Sequence, residues 1–144
     1  MSNPLPAPAA PAWRRAAAWL YDLFLLTATL FVAAIPVVVA TGATVTEQPL
    51  ARLAFQAYLL GIIFLFHGWF WTHGGQTLGM RAWRLRVVTK SGGALDWTDA
   101  VRRFATAMLS LAAFGLGLLW MFVDRERRGW HDRLSGTRVV LVPR

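Results

Sequence analysis

The sequence predicts an all-α membrane protein with two transmembrane helices and a third apolar segment that is either re-entrant or spanning. A small cytoplasmic β element completes the predicted fold. Hydrophobic residues make up 56% of the 144 residues and charged residues only 15%, and the apolar residues form long uninterrupted blocks. About 20 apolar residues in a helix match a hydrocarbon core roughly 30 Å thick. The blocks therefore indicate membrane spans and not the buried elements of a soluble domain.

Two of the apolar blocks have the length of membrane-spanning helices. The first covers residues 16–40 and the second residues 53–71. The first block is too long for the apolar region of a signal peptide, so we expect it to be retained as a span. Residues 41–52 form the predicted external loop, and the Pro- and Ala-rich residues 1–12 form a predicted disordered lead-in. The rest of the chain, residues 13–142, is predicted to be one membrane domain.

A polar stretch rich in basic residues follows the second block. Within it, residues 76–83 are predicted to form a short interfacial helix, and the β-branched run 85–89 is predicted to form a strand. A second β-branched run, residues 137–142, lies near the C terminus. We expect the two runs to pair in a small sheet on the membrane surface.

The third apolar block, residues 104–123, is interrupted by Gly115 and Gly117. If the block crosses as a straight helix, eight of the fifteen Lys and Arg residues lie on one side of the membrane and seven on the other. If it turns at the glycines and returns, fourteen of the fifteen lie on one side. Cytoplasmic loops carry the excess of basic residues, which favours a re-entrant hairpin and a cytoplasmic N terminus. A plain third span, whose glycines only aid helix packing, is the alternative.

The formal net charge of +8 does not indicate nucleic-acid binding here. The Arg residues stand at the flanks of apolar blocks, where they set the orientation of a membrane protein. Cysteine is absent, which excludes disulfides, thiol nucleophiles and thiolate metal sites. The sequence also lacks a nucleophile–base set, a phosphate-binding glycine pattern and a metal-ligand spacing. We therefore expect no enzyme activity, no cofactor and no bound metal.

Asp22 is the one charged residue in the first predicted span. An ionised carboxylate at this depth costs a few kcal/mol unless it is paired or hydrated. Arg15 shares its helix face, but roughly 10 Å of axial rise separates the two residues. We therefore expect both side chains to face a shared polar cleft and to find partners elsewhere in the chain. A buried ion pair that only fixes the helices in register is the alternative.

The predicted partners lie in the charged segment 124–133. This segment offers Asp124 at the end of the third block and the adjacent pair His131 and Asp132. Asp132 could orient the His131 ring within a proton-transfer network. A solvated juxtamembrane tail would show the same density of charge, so that interpretation stays open.

Three segments together resemble the RDD family of small bacterial membrane proteins. They are RRAAAWLYD, which contains Arg15 and Asp22, then GQTLGMRAWRLRVVTKSGGALDW (75–97) and FVDRERRGWHDRLSGTRVV (122–140). The resemblance covers residues 13–142. It implies that Arg15 and Asp22 are the first two of the Arg, Asp and Asp residues that give the family its name. For the second Asp it favours Asp132 over Asp124.

The resemblance implies a protein of the bacterial inner membrane with a role in transport. Some members of the family are linked to sodium/proton exchange, so a homo-oligomer that exchanges a monovalent cation for a proton is the first hypothesis. The second is a non-transporting scaffold or accessory protein, in which the Arg and Asp residues only lock the fold. In either case we expect the basic cytoplasmic face to contact anionic lipid headgroups.

Overall fold

Two long helices form the framework of the protein. The computed structural model describes residues 7–42 and 44–143, without the side chains of Thr44 and Thr46. Helix α1 covers Ala12–Thr41, the short helix α2 covers Thr44–Glu47, and helix α3 covers Pro49–Thr72. The two predicted spans are therefore confirmed as long helices, and each helix extends a few residues beyond the predicted ends. The predicted external loop contains α2.

Helices α1 and α3 are long and apolar enough to cross a membrane. They pack side by side, and the Tyr58 hydroxyl donates a hydrogen bond to the Ala33 carbonyl across the pair, at 3.0 Å. The most apolar 18-residue window of each helix is 0% buried within the chain. Side chains such as Phe24, Phe31 and Val39 are instead more than two-thirds exposed. These surfaces are suited to contact with lipid.

The polar stretch after α3 folds at one end of the molecule, which we call the polar end. Helix α4 covers Leu78–Ala82 and lies within the predicted interfacial helix. Strands β1 (Leu85–Thr89) and β2 (Thr137–Leu141) pair antiparallel, with Leu85 opposite Leu141 and Thr89 opposite Thr137. The predicted small sheet is thus confirmed, and it joins two segments that lie about 50 residues apart in the sequence.

Residues next to the N terminus add to this sheet. The Ala10 amide donates to the Val139 carbonyl at 3.1 Å, and the Leu141 amide donates to the Pro8 carbonyl at 3.1 Å. The outer edge of β2 offers unpaired backbone groups, which accounts for this pairing. Of the predicted disordered lead-in over residues 1–12, residues 1–6 lie outside the described part of the chain.

The third apolar block is broken into two arms. Helix α5 covers Trp97–Ala112, and after a turn helix α6 (Leu116–Leu119) continues into a 3₁₀ turn, Trp120–Phe122. The two arms are bent by 108°. At the turn both Phe114 and Gly115 adopt positive φ angles, 57° and 75°, a backbone conformation that reverses the chain. A short helix α7, Trp130–Ser135, then leads into β2.

The strand pairing determines where the two arms begin and end. Strand β1 precedes α5, and β2 follows α7. Because the strands are hydrogen-bonded to each other, the segment between them leaves the polar end and returns to it. A single straight crossing would separate the strands by the thickness of the membrane. The structure therefore favours the re-entrant hairpin over the plain third span.

Helix α5 begins seven residues before the predicted third block. The Asp96 carboxylate accepts a hydrogen bond from the Asp99 amide at 2.7 Å, and the Asp99 carboxylate accepts from the Asp96 amide at 3.3 Å. This reciprocal capping satisfies amide groups at the start of the helix. It extends α5 into the stretch predicted to be polar and surface-bound.

The apolar core of the chain lies at the polar end. Its buried residues come from the sheet, from α4 and from the adjoining ends of the long helices, among them Ala18, Trp71, Leu85 and Val139. The core thus fixes the ends of α1, α3 and α5 relative to one another. That arrangement positions the charged residues described below.

The hairpin makes a prediction about membrane topology. Because the chain has no cysteine, single cysteines can be introduced at Ser91, before α5, and at Arg125, after the hairpin. We expect an impermeant thiol reagent to label both from the same side of a sealed membrane. A cysteine at Gln48, between α2 and α3, is the control and should be labelled from the other side.

Labelling of the Ser91 and Arg125 positions from opposite sides would show instead that residues 97–122 cross the membrane once.

Candidate functional site

Asp132 lies at the centre of a buried ionic cluster. It is in the first turn of α7 and is 0% exposed. Its Oδ1 accepts a hydrogen bond from Arg103 Nη1 at 2.6 Å. Its Oδ2 accepts from Arg15 Nη2 and from the Gly129 amide. We call Arg15, Arg103 and Asp132 the Asp132 cluster.

The two arginines of the cluster reach it from different helices. Arg15 is in the first turn of α1 and also donates to the Arg127 carbonyl. Arg103 is two turns into α5, donates to the Thr137 hydroxyl at 2.6 Å, and stacks over the Trp71 ring at 5.1 Å. Both side chains are at most 4% exposed. The cluster therefore ties α1, α5, α7 and β2 together.

The charges of the cluster determine the protonation state of Asp132. Burial by itself raises the pKa of the Asp132 carboxyl, but the Arg103 and Arg15 guanidinium groups outweigh it and hold that pKa well below its usual range. Asp132 is therefore ionised at physiological pH. One carboxylate then compensates two buried guanidinium groups.

His131 lies next to the cluster and is neutral at physiological pH. Its Nε2 is 3.4 Å from Asp132 Oδ1, and its ring packs against Trp19. Burial lowers the pKa of His131 to about 3, because the Asp132 charge is too weak to offset the lost hydration and the nearby arginines disfavour a further positive charge. Within the described part of the chain, its Nδ1 has no hydrogen-bond partner.

Asp22 lies apart from the Asp132 cluster and has different partners. It is 5% exposed and about 15 Å along α1 from Ala12. Its Oδ2 accepts a hydrogen bond from the Thr77 hydroxyl, and its Oδ1 accepts from the Gly79 amide at 2.8 Å. Among residues 7–42 and 44–143, no basic side chain forms an ion pair with it.

Gly79 allows α4 to approach α1 closely enough to reach Asp22. A Cβ atom at this position would lie 2.3 Å from the Ala18 carbonyl oxygen and 2.9 Å from the Asp22 carboxylate. A side chain there would push α4 away from α1 and would lengthen the bond from the Gly79 amide to Asp22. The glycine is therefore part of the binding arrangement around this carboxylate.

A cavity of about 370 Å³ is lined by Asp22 and by Arg103 of the Asp132 cluster. Its walls come mainly from α1, α3 and α5, and most of them are apolar or aromatic, including Trp19, Trp71 and Phe104. Its polar lining consists of Asp22, His67, Thr77, Arg103 and His131. We call it the central cavity. A carboxylate, two imidazoles and a guanidinium group therefore line one cavity.

Asp124 lies outside both arrangements. Its carboxylate accepts hydrogen bonds from the Arg128 amide at 2.9 Å and from the Arg133 side chain. The Arg128 amide, helped by the charge of Arg133, lowers the pKa of Asp124. Arg133 is 46% exposed, so this pair lies at the surface. Of the two candidates for the second Asp, the structure joins Asp132 to Arg15 and leaves Asp124 apart.

Arg15 and Asp22 were predicted to face one polar cleft, and the structure separates them. Arg15 binds Asp132, while Asp22 binds the start of α4. Arg103, Thr77 and Gly79 contact these acids and are not among the residues predicted from the sequence. Asp96 and Asp99 have the spacing of a helix-capping pair, which indicates that α5 begins at Trp97. A helix that begins there contains Arg103. Nothing in the local pattern indicated that Thr77 and Gly79 contact Asp22.

The arrangement does not resemble a metal site. Within the described residues, no group of three His, Asp or Glu side chains is placed to hold a metal ion. The polar groups are instead spread around the walls of the central cavity.

We expect two acid-to-amide substitutions to lower the free energy of unfolding by very different amounts. Asp132→Asn leaves Arg15 and Arg103 buried without a counter-charge, and we expect it to reduce the free energy of unfolding by about 3–5 kcal/mol. Asp124→Asn removes a pair with a half-exposed arginine and should have a much smaller effect. Unfolding in mixed micelles, followed by tryptophan fluorescence, measures both. Equal effects would contradict the central role of Asp132.

Because burial lowers the pKa of His131, we expect the folded protein to lose stability in mild acid. Its pKa falls from an ordinary 6.5 in the unfolded chain to about 3 in the folded one. Below pH 6.5 the unfolded state therefore binds a proton that the folded state does not. The free energy of unfolding should fall by at most about 1.4 kcal/mol per pH unit between pH 6 and pH 4.

The matched variant is His131→Gln, which cannot take up this proton. Its stability should depend less on pH over the same range, when both proteins are unfolded in the same micelles at each pH. Parallel pH profiles for the two proteins would show that His131 is not the group responsible.

The comparisons with known proteins agree with this framework. No curated protein and no solved structure matches the chain. A family model described as the RDD family matches residues 9–136, a range that includes Arg15, Asp22, Arg103 and Asp132. Since the match covers most of the 144 residues, the chain belongs to the RDD family.

Proposed function

We propose that the protein has a transport role in the bacterial inner membrane and exchanges a monovalent cation for a proton at Asp22. The observation that carries this proposal is the position of Asp22 on the wall of the central cavity, without an ion pair among the described residues. A carboxylate that is held by neutral donors is free to alternate between a proton and a cation. Acidic residues within membrane spans commonly mark such pathways.

The Thr77 hydroxyl and the Gly79 amide support this role of Asp22. Each donates to a different oxygen of the carboxylate, so each oxygen keeps a lone pair for a proton or a cation. The donors fix the direction of the carboxylate without neutralising its charge. Asp132, by contrast, is compensated by two arginines and takes no part in the proposed exchange.

The distribution of basic residues supports the proposed orientation. Among the described residues, Arg52 is the only Lys or Arg at the end where α1 and α3 are connected. The others lie at the start of α1, within residues 81–103 and within residues 125–138. The positive-inside rule then assigns the polar end, with the N terminus, to the cytoplasm. In this orientation the basic surface faces anionic lipid headgroups.

We further propose that the transporting unit is a homo-oligomer without enzyme activity. Two spans and a hairpin enclose only one side of a pathway across the membrane, and the central cavity is lined mainly from α1, α3 and α5 of one chain. The exposed apolar faces of α1 and α3 offer surface for contact between copies. The polar groups around the cavity lack the nucleophile–base pair that catalysis would use.

The Asp132 cluster supports a second candidate function. A carboxylate fully occupied by Arg15, Arg103 and the Gly129 amide is suited to fixing the fold. If Asp22 likewise only fixes α4 against α1, the chain is a non-transporting scaffold or accessory protein. The two candidates differ in what they expect from a folded variant without the Asp22 charge.

Ion flux in proteoliposomes separates the two candidates. A sodium or potassium gradient should drive proton movement by the wild type, measured with a pH-sensitive dye inside the vesicles. Asp22→Asn keeps an oxygen that can accept from the Gly79 amide, and its NH2 group can donate to the Thr77 hydroxyl. The amide cannot exchange a proton, so we expect the flux to fall at least tenfold.

Asp124→Asn is the matched control, since it removes an acid outside the central cavity, and its flux should stay within twofold of the wild type. Size-exclusion profiles and unfolding curves establish that all three proteins are folded. Absence of flux from the folded wild type, or wild-type flux from Asp22→Asn, would overturn the exchange proposal.

A further inference from the structure

A second cavity at the polar end has a different character from the central cavity. It has a volume of about 500 Å³, within the range of ~300–1,000 Å³ that is typical of ligand sites. Its charged lining consists of Lys90, Glu126, Arg128 and Arg138. We call it the basic cavity. Three cationic groups and one carboxylate give its lining a formal charge of +2.

The cations of the basic cavity come from three separate parts of the chain. Lys90 follows β1, Arg128 is in the segment between the hairpin and α7, and Arg138 is in β2. The antiparallel pairing of the strands, with Val88 opposite Arg138, brings Lys90 and Arg138 to the same end of the sheet. The fold therefore brings Lys90 close to Arg128 and Arg138, although Lys90 precedes Arg128 by 38 residues in the sequence.

Two of these cations have no acidic partner. Arg128 pairs with Glu126, whereas among the described residues neither Lys90 nor Arg138 forms an ion pair. The Nε atom of Arg138 is buried and has no hydrogen-bond partner in the described part of the chain. The charges of Lys90 and Arg138 are thus not neutralised within the described part of the chain, and a bound anion would compensate them.

We propose that the basic cavity binds a phosphate group, and that the group belongs to the headgroup of an anionic lipid. A guanidinium group offers paired donors that match the oxygens of a phosphate, and an ammonium group adds charge without a fixed direction. Arg138 provides the guanidinium group and Lys90 provides the ammonium group. This inference does not depend on the proposed ion exchange.

The position of the basic cavity favours a lipid as the source of the phosphate. Ala7 and Ala9 form part of its wall, and α1 begins at Ala12. The cavity therefore adjoins the start of a membrane span, where lipid phosphates lie. A headgroup there would bridge the N-terminal residues, the sheet and the segment before α7.

The test is binding of short-chain phosphatidylglycerol to the full chain in a zwitterionic detergent, followed by calorimetry. Phosphatidylcholine of the same chain length and inorganic phosphate are the comparison probes. We expect the wild type to bind phosphatidylglycerol at least tenfold more tightly than either. The double substitution Lys90→Gln and Arg138→Gln should weaken that binding at least tenfold.

Two further variants make the test specific to the basic cavity. Arg102→Gln removes a charge from an exposed residue at the polar end but outside the cavity, and its binding should stay within twofold of the wild type. Arg138→Lys keeps the charge and loses the paired donors, so its affinity should be intermediate between those of the wild type and the double variant.

An equal loss of binding in Arg102→Gln and in the folded double variant would overturn the site in favour of diffuse charge attraction. Inorganic phosphate that binds as tightly as the lipid would overturn the lipid as the source. Unfolding curves for every variant ensure that a loss of binding is not a loss of structure.

Discussion

The contact of one carboxylate with two arginines holds the polar end of this protein together. Asp132 receives Arg15 from the start of α1 and Arg103 from α5, and it lies in a helix that leads directly into β2. Burying three charges is costly, and the attraction between them repays that cost only when every donor is well placed. The Asp132 cluster therefore favours the one arrangement of α1, α5 and α7 in which all of its donors are well placed.

The re-entrant hairpin depends on this arrangement. Backbone at membrane depth is tolerated only where protein covers it or its hydrogen bonds are satisfied internally. The two arms are helical up to the turn at Phe114 and Gly115, and the hydroxyls of Thr106 and Ser110 bond to carbonyls of their own helix. The sheet and the Asp132 cluster hold both ends of the hairpin on one side, so its arms need not cross the membrane.

Asp22 and Asp132 differ in the partners that hold their carboxylates. Asp132 has charged partners and is committed to the fold, whereas Asp22 has only neutral donors and faces the central cavity. The chain thus contains one buried acid neutralised by two arginines and a second buried acid held by neutral donors. The proposed exchange concerns the central cavity, and the proposed lipid site is the basic cavity, which has a different lining.

Long-range contacts set the limit of what could be read from the sequence. The capping acids Asp96 and Asp99 are a local signal, because they specify the start of α5 without any tertiary information. The partners of Asp22 are different. Thr77 and Gly79 lie more than 50 residues away, and their contact depends on the close approach of two helices that no local pattern encodes.

Local sequence patterns predict the elements whose cause is local. These are two apolar helices of membrane length, two β-branched strands and the interruption of the third apolar block. Hydrophobic length and residue periodicity act over a few neighbours, so they are visible in the chain. Three features became evident only from the folded chain: the hairpin returns to the polar end, Arg103 joins Arg15 on Asp132, and Asp22 is held by neutral donors. Those outcomes depend on which buried charges and hydrogen-bonding groups can be satisfied together, and that is settled only when distant segments pack.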